Sequence, residues 1–305
     1  MSDQTGAAVA TPSPPTAPAA PAVKPMMVRM SQSVQTEGTA IIIMGDAGVG
    51  KTTLVRGLNP DRTLLVPFDP GYDVLAGWNG HRANLDETDT KSVGTYIAWL
   101  TLNARTQGIA TVIVDNVSYL ERWTLRALTE FHGKQAPDLQ EQGPIGAIVG
   151  GWLMSLRDLR KQGINVVFFA HDKTDMKGFE GVHYPSLQDK LSRNFCGMVD
   201  CLGYMAIEPD ADRSRVMYWD GTPTIHAKKR YKCLLPKEAV AKSDEKYLAN
   251  VLARIYAEKK QAWNPVPVPA PQTSAPVTAP APNAPAVDAP ANVEPPKSDS
   301  KKKEK

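Results

Sequence analysis

The sequence has few of the residues that mark secreted, metal-binding or membrane-spanning proteins. Only three cysteines occur among its 305 residues, Cys196, Cys201 and Cys233, and neither they nor the five histidines show metal-ligand spacing. No apolar run approaches the ~20 residues of a membrane span, and the N-terminus lacks a hydrophobic signal core. We therefore expect reduced, half-buried cysteines in a cytoplasmic protein without a membrane segment.

The sequence also has no large excess of positive or negative charge. The formal net charge is only +3, from 35 basic and 32 acidic residues. A charge this small does not by itself indicate a nucleic-acid partner, so a basic binding site must be argued from local sequence.

The two ends of the chain have few large apolar residues that could form a hydrophobic core. Of the 26 prolines, 17 lie before Met26 or after Trp263, among alanine, threonine and valine. Such segments bury too little apolar surface to offset chain entropy. We predict disordered tails at 1–30 and 263–305 around one α/β domain at 31–262. The Pro-rich tails and the basic Lys301–Lys305 end are possible protein-binding segments, and the basic end is either a solvated tail or a contact for DNA.

A glycine-rich stretch after residue 44 carries the most specific motif. Its sequence fits G-x-x-x-x-G-K-[ST], the phosphate-binding P-loop. An apolar run, Ala40–Met44, precedes it like a buried strand, and 53–57 follow like the first turns of a helix. The predicted nucleotide-binding residues are Gly45, Asp46, Ala47, Gly48, Val49, Gly50, Lys51, Thr52 and Thr53.

The residue types in this loop suit a nucleotide phosphate. Glycines allow consecutive backbone N–H groups to approach phosphate oxygens, and the helix N-terminus adds partial positive charge. Lys51 is predicted to reach the β- and γ-phosphates, and the Thr52 hydroxyl to ligate Mg²⁺. We expect ATP and Mg²⁺ as the cofactors.

Downstream, apolar strands alternate with segments of helical periodicity, which favours a parallel sheet covered on both faces. The predicted later strands Leu202–Ile207, Arg215–Trp219 and Thr224–Ala227 indicate an antiparallel extension. The other predicted strands are Thr63–Phe68, Thr111–Asp115 and Ile164–Ala170; the predicted helices are Ser92–Gln107, Leu120–Phe131, Ile145–Arg160 and Ser243–Lys260, with the segment Gly133–Pro144 separating two of them.

Two carboxylates end predicted strands. Asp115 follows an apolar run and has the form of a Walker B acid that orients Mg²⁺, although a turn-forming aspartate would look the same. Many P-loop ATPases with added strands place a glutamate next to that acid, but here the residue is Asn116. Asp69 is the other candidate for activating water. Pro70 beside it favours the alternative, in which Asp69 only forms a tight turn.

His171 ends another predicted strand, where it is a candidate γ-phosphate sensor or only a strand-end cap. The loop 172–190 that follows combines Lys173, Lys177 and Lys190 with Phe179 and Tyr184. Rings that stack on bases and ammonium groups that meet phosphates suit single-stranded DNA, and the same composition suits a subunit interface.

A basic cluster follows the last predicted strand. Lys228 and Arg230 are candidates for groups that reach the γ-phosphate of a neighbouring subunit, for DNA-backbone contacts, or for charges that protect a sheet edge.

Taken in order, these motifs resemble those of phage-type AAA/RecA-like nucleotide-binding proteins, a group that includes Sak-type single-strand annealing recombinases. The resemblance rests on the P-loop, Asp115 after Val112-Ile-Val, His171 after a strand, and Lys228-x-Arg230, and it covers roughly residues 38–235. It implies a RecA-like ATPase core, a homo-oligomer, and work on single-stranded DNA in phage recombination or replication, in the host cytoplasm. Relatives often carry Asp-x-Glu-Gly where this chain has Asp69-Pro-Gly, so the glutamate is missing.

Three functions follow as hypotheses. The first is an ATPase coupled to single-stranded DNA, with Lys51, Thr52, Asp115, Asp69 and His171 in one subunit and Lys228 and Arg230 acting across an interface. The second is a nucleotide-switched scaffold with weak hydrolysis that recruits partners through its tails. The third, a small-molecule kinase, is disfavoured because no lid-like arginine cluster is evident.

Overall fold

A computed structural model describes residues 37–85, 90–134, 139–209, 213–241 and 244–259. The tails predicted at 1–30 and 263–305 lie outside these ranges, so the predicted limits of the domain stay predictions.

One large sheet forms the centre of the described chain. Its strand order is β10-β9-β8-β1-β5-β4-β2-β3. The six strands from β8 to β3 are parallel to their neighbours, whereas β9 and β10 pair antiparallel. The strands are β1 (Ala40–Met44), β2 (Thr63–Pro67), β3 (His81–Arg82), β4 (Thr111–Asp115), β5 (Asn165–Ala170), β8 (Cys201–Ile207), β9 (Arg215–Tyr218) and β10 (Lys237–Val240), and a separate ribbon pairs β6 (Asp172–Lys173) with β7 (Tyr184–Pro185).

The strand order determines where the predicted catalytic groups at the carboxyl ends of the strands lie. Strand β1, which leads into the P-loop, lies between β8 and β5, and β5 separates it from β4. Met44 is in register with Ala170, and Asp115 with Phe169. The carboxyl ends of these parallel strands therefore meet at one edge of the sheet, where ligands bind in open α/β folds.

Helices cover both faces of the sheet. Helices α1 to α4 pack on one face through residues such as Ile97, Leu120, Val149 and Phe195, while α5 and a 3₁₀ helix at Thr52–Gly57 pack on the other. All five residues of β1 are fully buried between these layers, which explains its continuous apolar sequence. The helices are α1 (Thr90–Asn103), α2 (Val117–Phe131), α3 (Leu139–Asp158), α4 (Asp189–Met198) and α5 (Tyr247–Glu258).

This architecture confirms the predicted α/β fold class, with a mainly parallel sheet between helices and an antiparallel extension. Two details of the extension were wrong. The segment at 202–207 lies in β8, which runs parallel to β1 and so belongs to the main sheet. Thr224–Ala227 is not a strand but makes isolated bridges; the third strand of the extension is Lys237–Val240, whose alternating burial is typical of an edge strand.

Helix boundaries also differ from the predictions. The segment after the P-loop is a 3₁₀ helix, not an α-helix. Helix α2 begins at Val117, earlier than predicted, because the Asn116 side chain accepts a hydrogen bond from the Tyr119 N–H and caps it. Helix α3 begins at Leu139 and includes Pro144, so part of the segment predicted to separate two helices is helical.

The loop predicted at 172–190 is also more ordered than its composition indicated. It begins with β6, contains β7 at Tyr184–Pro185, and its last two residues, Asp189 and Lys190, start α4. Within the described ranges, every helix is too short or too polar to traverse a lipid bilayer.

Candidate functional site

The P-loop connects the end of β1 to the 3₁₀ helix at Thr52. Gly48 and Gly50 have φ angles of 74° and 103°, a region that side chains with a Cβ rarely adopt. Asp46 and Ala47 are exposed, whereas Val49 is buried. This backbone holds the loop in an open turn whose N–H groups can surround an anion.

Lys51 lies inside this turn. Its side-chain Nζ donates hydrogen bonds of 2.7 Å to the carbonyl oxygens of Gly45 and Asp46. Burial lowers the pKa of Lys51, and the nearby carboxylates of Asp115 and Asp172 oppose that shift. The ammonium group is therefore fixed in the loop where a phosphate chain would bind.

Thr52 and Asp115 meet beside Lys51. The Thr52 hydroxyl donates a 2.6 Å hydrogen bond to Oδ2 of Asp115, and Asp115 is 3 % exposed. Burial raises the pKa of Asp115 to about 6, although the Thr52 hydrogen bond and the Lys51 charge act against this. A hydroxyl and a carboxylate side by side are hard oxygen ligands, so this pair fits Mg²⁺.

A second polar group lies at the ends of β2, β4 and β5. Nδ2 of Asn116 lies 3.0 Å from Oδ2 of Asp69 and 3.1 Å from Nε2 of His171. Oδ1 of Asp69 accepts a hydrogen bond of 2.8 Å from the Gly71 N–H, so Asp69 does form a turn as well. The structure thus brings Asp69 and His171 together near Asp115, at the edge of the sheet where β2, β4 and β5 end.

His171 is suited to a neutral state. Burial lowers its pKa, and the positive charge of Lys51 lowers it further. An amide N–H can donate only to an unprotonated Nε2, so the Asn116 contact matches a neutral imidazole with its proton on Nδ1. The backbone N–H of His171 donates to the Ser118 hydroxyl, and β6 begins at the next residue.

Only some of the residues predicted to contact single-stranded DNA are exposed in the segment after His171. Phe179 is exposed with Arg193 over its ring, and Lys177 and Lys190 are exposed. Tyr184, in contrast, is buried and stacks on His226, and Lys173 pairs with Asp189 at 2.6 Å. Stacking on a base is therefore possible for Phe179 and not for Tyr184.

Lys228 and Arg230 lie at the other end of the sheet. Leu202, near the start of β8, bridges to Lys228, and Arg230 pairs at 3.1 Å with Asp200, whose carboxylate accepts from the Ala40 N–H. These contacts are at the amino end of β1, roughly 13 Å along the strand from the P-loop. Within one subunit they do not approach Lys51.

Two features of this region were not assigned a role from sequence. Asn116 was noted only as the absence of a glutamate, although a polar residue directly after a strand-end acid is itself a signal. A cleft of about 610 Å³ also opens between the P-loop and the end of β8, with Asp46, Val49, Tyr204 and Arg213 in its lining. No spacing in the sequence predicts that cleft, because it depends on the register of β8 beside β1.

Comparison with known proteins gives a family for the part of the chain that contains this site. Residues 37–231 match a family model described as an AAA domain. Among solved structures, the chain is similar to a KaiC-like protein from the hyperthermophilic archaeon Pyrococcus horikoshii, with 13 % identity, a TM-score of 0.38, and coverage of 60 % of this chain and 78 % of that one. A search of curated proteins gave no match.

Proposed function

This chain belongs to the AAA domain family, and on that premise we propose that it is an ATPase that binds ATP with Mg²⁺ and couples hydrolysis to single-stranded DNA. The observation that carries the proposal is the 2.6 Å contact between the Thr52 hydroxyl and Asp115, beside Lys51 in a P-loop. These residues match the parts that hold a nucleotide and its metal in P-loop NTPases.

In this proposal the P-loop binds the phosphates of the nucleotide, and the residues beside it hold the metal ion. Lys51 and the loop N–H groups bind the β- and γ-phosphates, and Thr52 and Asp115 hold Mg²⁺. When bound, Mg²⁺ supplies positive charge that stabilises the oxygens of the transferred phosphoryl group.

Hydrolysis also requires a group that accepts a proton from water. Asp69 is our candidate, because its carboxylate lies at the same sheet edge and is 24 % exposed, so water reaches it. Asn116 holds that carboxylate by donating to Oδ2, and Asn116 holds His171 in the same way. His171 would then sense the γ-phosphate through its unprotonated ring.

The DNA contact is assigned to the segment after His171. Phe179, Lys177, Lys190 and Arg193 form an exposed group of one ring and three cations, which suits a single strand. Because β6 follows His171 directly, a change at the nucleotide would reach this group through the ribbon.

The role of Lys228 and Arg230 requires a homo-oligomer. Both lie at the amino end of the sheet, and the Arg230 side chain is 57 % exposed. An exposed cation far from its own P-loop suits a contact with the nucleotide of a neighbouring subunit. Because the motifs resemble those of phage-type AAA/RecA-like proteins, we propose a role in phage DNA recombination or replication.

The test is ATP hydrolysis with and without single-stranded DNA. We expect turnover to rise severalfold with DNA, Lys51→Ala to abolish it, and Lys177→Ala with Lys190→Ala to remove the stimulation alone. Lys237→Ala, an exposed lysine on β10, is the control. An ATP turnover rate that does not change with DNA would contradict the DNA coupling and favour a nucleotide-switched scaffold. Such a scaffold should lose partner binding when residues 270–305 are deleted.

A further inference from the structure

Arg215 reaches the P-loop from the antiparallel part of the sheet. It is the first residue of β9 and pairs with Ile207, at the carboxyl end of β8. Since β8 runs parallel to β1, this register places Arg215 at the same sheet edge as the P-loop. Nothing in the sequence around Arg215 predicts this position.

The Arg215 guanidinium lies directly against Gly50. A Cβ built on Gly50 would be 2.8 Å from Nη1, 3.0 Å from Cζ and 3.3 Å from Nη2 of Arg215. Three nearly equal distances mean that the flat face of the guanidinium lies on the glycine. Because the contact with Gly50 uses the face of the guanidinium, the N–H edge of Arg215 is not taken up by that contact.

The part of the chain that the structure describes offers the Arg215 guanidinium no side-chain partner. Within the described residues, Arg215 takes part in no side-chain hydrogen bond and no ion pair, and its Nε is buried without an acceptor. Leaving a buried donor unsatisfied is unfavourable, and more so for a charged group. The same loop holds a second cation, Lys51, which follows Gly50 in the chain and donates to the Gly45 and Asp46 carbonyl oxygens. Among the described residues, the P-loop thus holds Lys51 and contacts an arginine without a partner, and such a pair of cations suits a polyanionic ligand.

We infer that Arg215 binds the diphosphate part of the nucleotide, a conclusion that rests on the proposed function. Gly50 belongs to the cradle for the phosphates, and a guanidinium edge matches two phosphate oxygens at once. Arg215 approaches from the β8 side of the P-loop, whereas Asp69, Asp115 and His171 lie on the β5 side. It therefore contributes to holding the α- and β-phosphates, which ATP and ADP share, and not to the attack on the γ-phosphate.

The test is calorimetric titration of the full chain with Mg·ADP and, separately, with inorganic pyrophosphate. We expect Arg215→Ala to weaken both about tenfold or more, because a charge-assisted contact to phosphate is lost. Arg215→Lys should recover part of the affinity, since it keeps the charge but not the two-pronged contact. Arg126→Ala, which removes an exposed arginine from α2, should bind as the wild type does.

The other outcomes are separable. If Arg215→Ala weakens ADP but not pyrophosphate, Arg215 stacks on the base and the inference is wrong. If both ligands bind unchanged while thermal stability falls, Arg215 only packs on the loop, and the inference is again wrong. A wild-type chain that binds neither ligand would overturn the proposed function itself.

Discussion

Asp69 and His171 are held by one side-chain amide: Nδ2 of Asn116 lies 3.0 Å from Oδ2 of Asp69 and 3.1 Å from Nε2 of His171. The proposed base and the proposed sensor therefore cannot move independently without breaking one of these bonds. Asn116 touches neither the phosphate loop nor the metal pair through these bonds, so its effect should be on turnover and not on nucleotide affinity.

Replacing Asn116 by serine tests this positioning role. Serine keeps a side-chain oxygen for the cap of α2 but has no amide to hold both partners. We expect kcat to fall about tenfold because Asp69 is less well oriented, with an unchanged ADP dissociation constant and thermal midpoint. Asn103→Ser, at the half-buried last residue of α1, is the control, and a fall in affinity with normal kcat would contradict the role.

Replacing Asp69 by asparagine tests the proton acceptor. The amide preserves the shape of the side chain but does not accept a proton, so we expect turnover to fall by about 10²- to 10⁴-fold while ATP still binds. Asp73→Asn provides a matched control, because Asp73 is exposed on the same 3₁₀ turn. Equal turnover in the two variants would show that Asp69 serves the turn and that another group activates water.

Gly203 has no room for a larger residue in the middle of β8. A Cβ there would lie 2.8 Å from Sδ of Met217 and 2.8 Å from the ring of Trp219, both fully buried. We expect Gly203→Ala to lower the free energy of unfolding by about 1–3 kcal/mol through overpacking. Gly197→Ala in α4, where a Cβ meets no atom within 4 Å, should instead raise it by up to about 1 kcal/mol. Urea unfolding of both variants measures the difference.

Glu238 links β10 to α5 and should make stability depend on pH. Its burial opposes ionisation, but hydrogen bonds from Arg254, the Leu235 N–H and the Tyr247 hydroxyl outweigh it and lower the pKa of Glu238. A depressed carboxyl pKa stabilises the fold above the unfolded-state value, near 4.5, and this contribution is lost as pH falls through the folded-state value.

We therefore expect Glu238→Gln to reduce the free energy of unfolding by about 2 kcal/mol at pH 7, and by much less near pH 3.5. Urea unfolding at the two pH values measures this. Glu130→Gln, which removes an exposed helical ion pair, should have little effect at either pH. A difference that stayed constant with pH would show that packing, not ionisation, explains the loss.

Parts of the molecule that depend on local pattern were predictable from sequence. Ala40–Met44 and Thr111–Asp115 are the strands that the apolar runs predicted, residue for residue, because a buried parallel strand has a continuous apolar sequence. Asp69, Asp115 and His171 were each predicted at a strand end, and they lie together because parallel strands bring their carboxyl ends to one edge.

The rest depended on long-range pairing. Thr224–Ala227 has the composition of a strand, but Lys237–Val240 takes the place beside β9, and only the register with Arg215–Tyr218 decides between them. The position of Arg215 at Gly50 has the same origin. Tyr184 looked available for a ligand until its ring was found against His226, a contact between residues 42 positions apart that composition does not encode.

The close approach of Gly57 to the chain before α5 shows that the folded domain extends beyond the residues that match the family model. A Cβ on Gly57 would lie 2.0 Å from the carbonyl oxygen of Glu245, so the helix after the P-loop rests on the chain just before α5. The family match ends at 231, yet Leu248, Val251 and Ile255 complete the core that contains Leu54 and Val55. A chain shortened to the matched residues would leave this apolar face in water, and it would fail in a binding assay for reasons unrelated to its nucleotide chemistry.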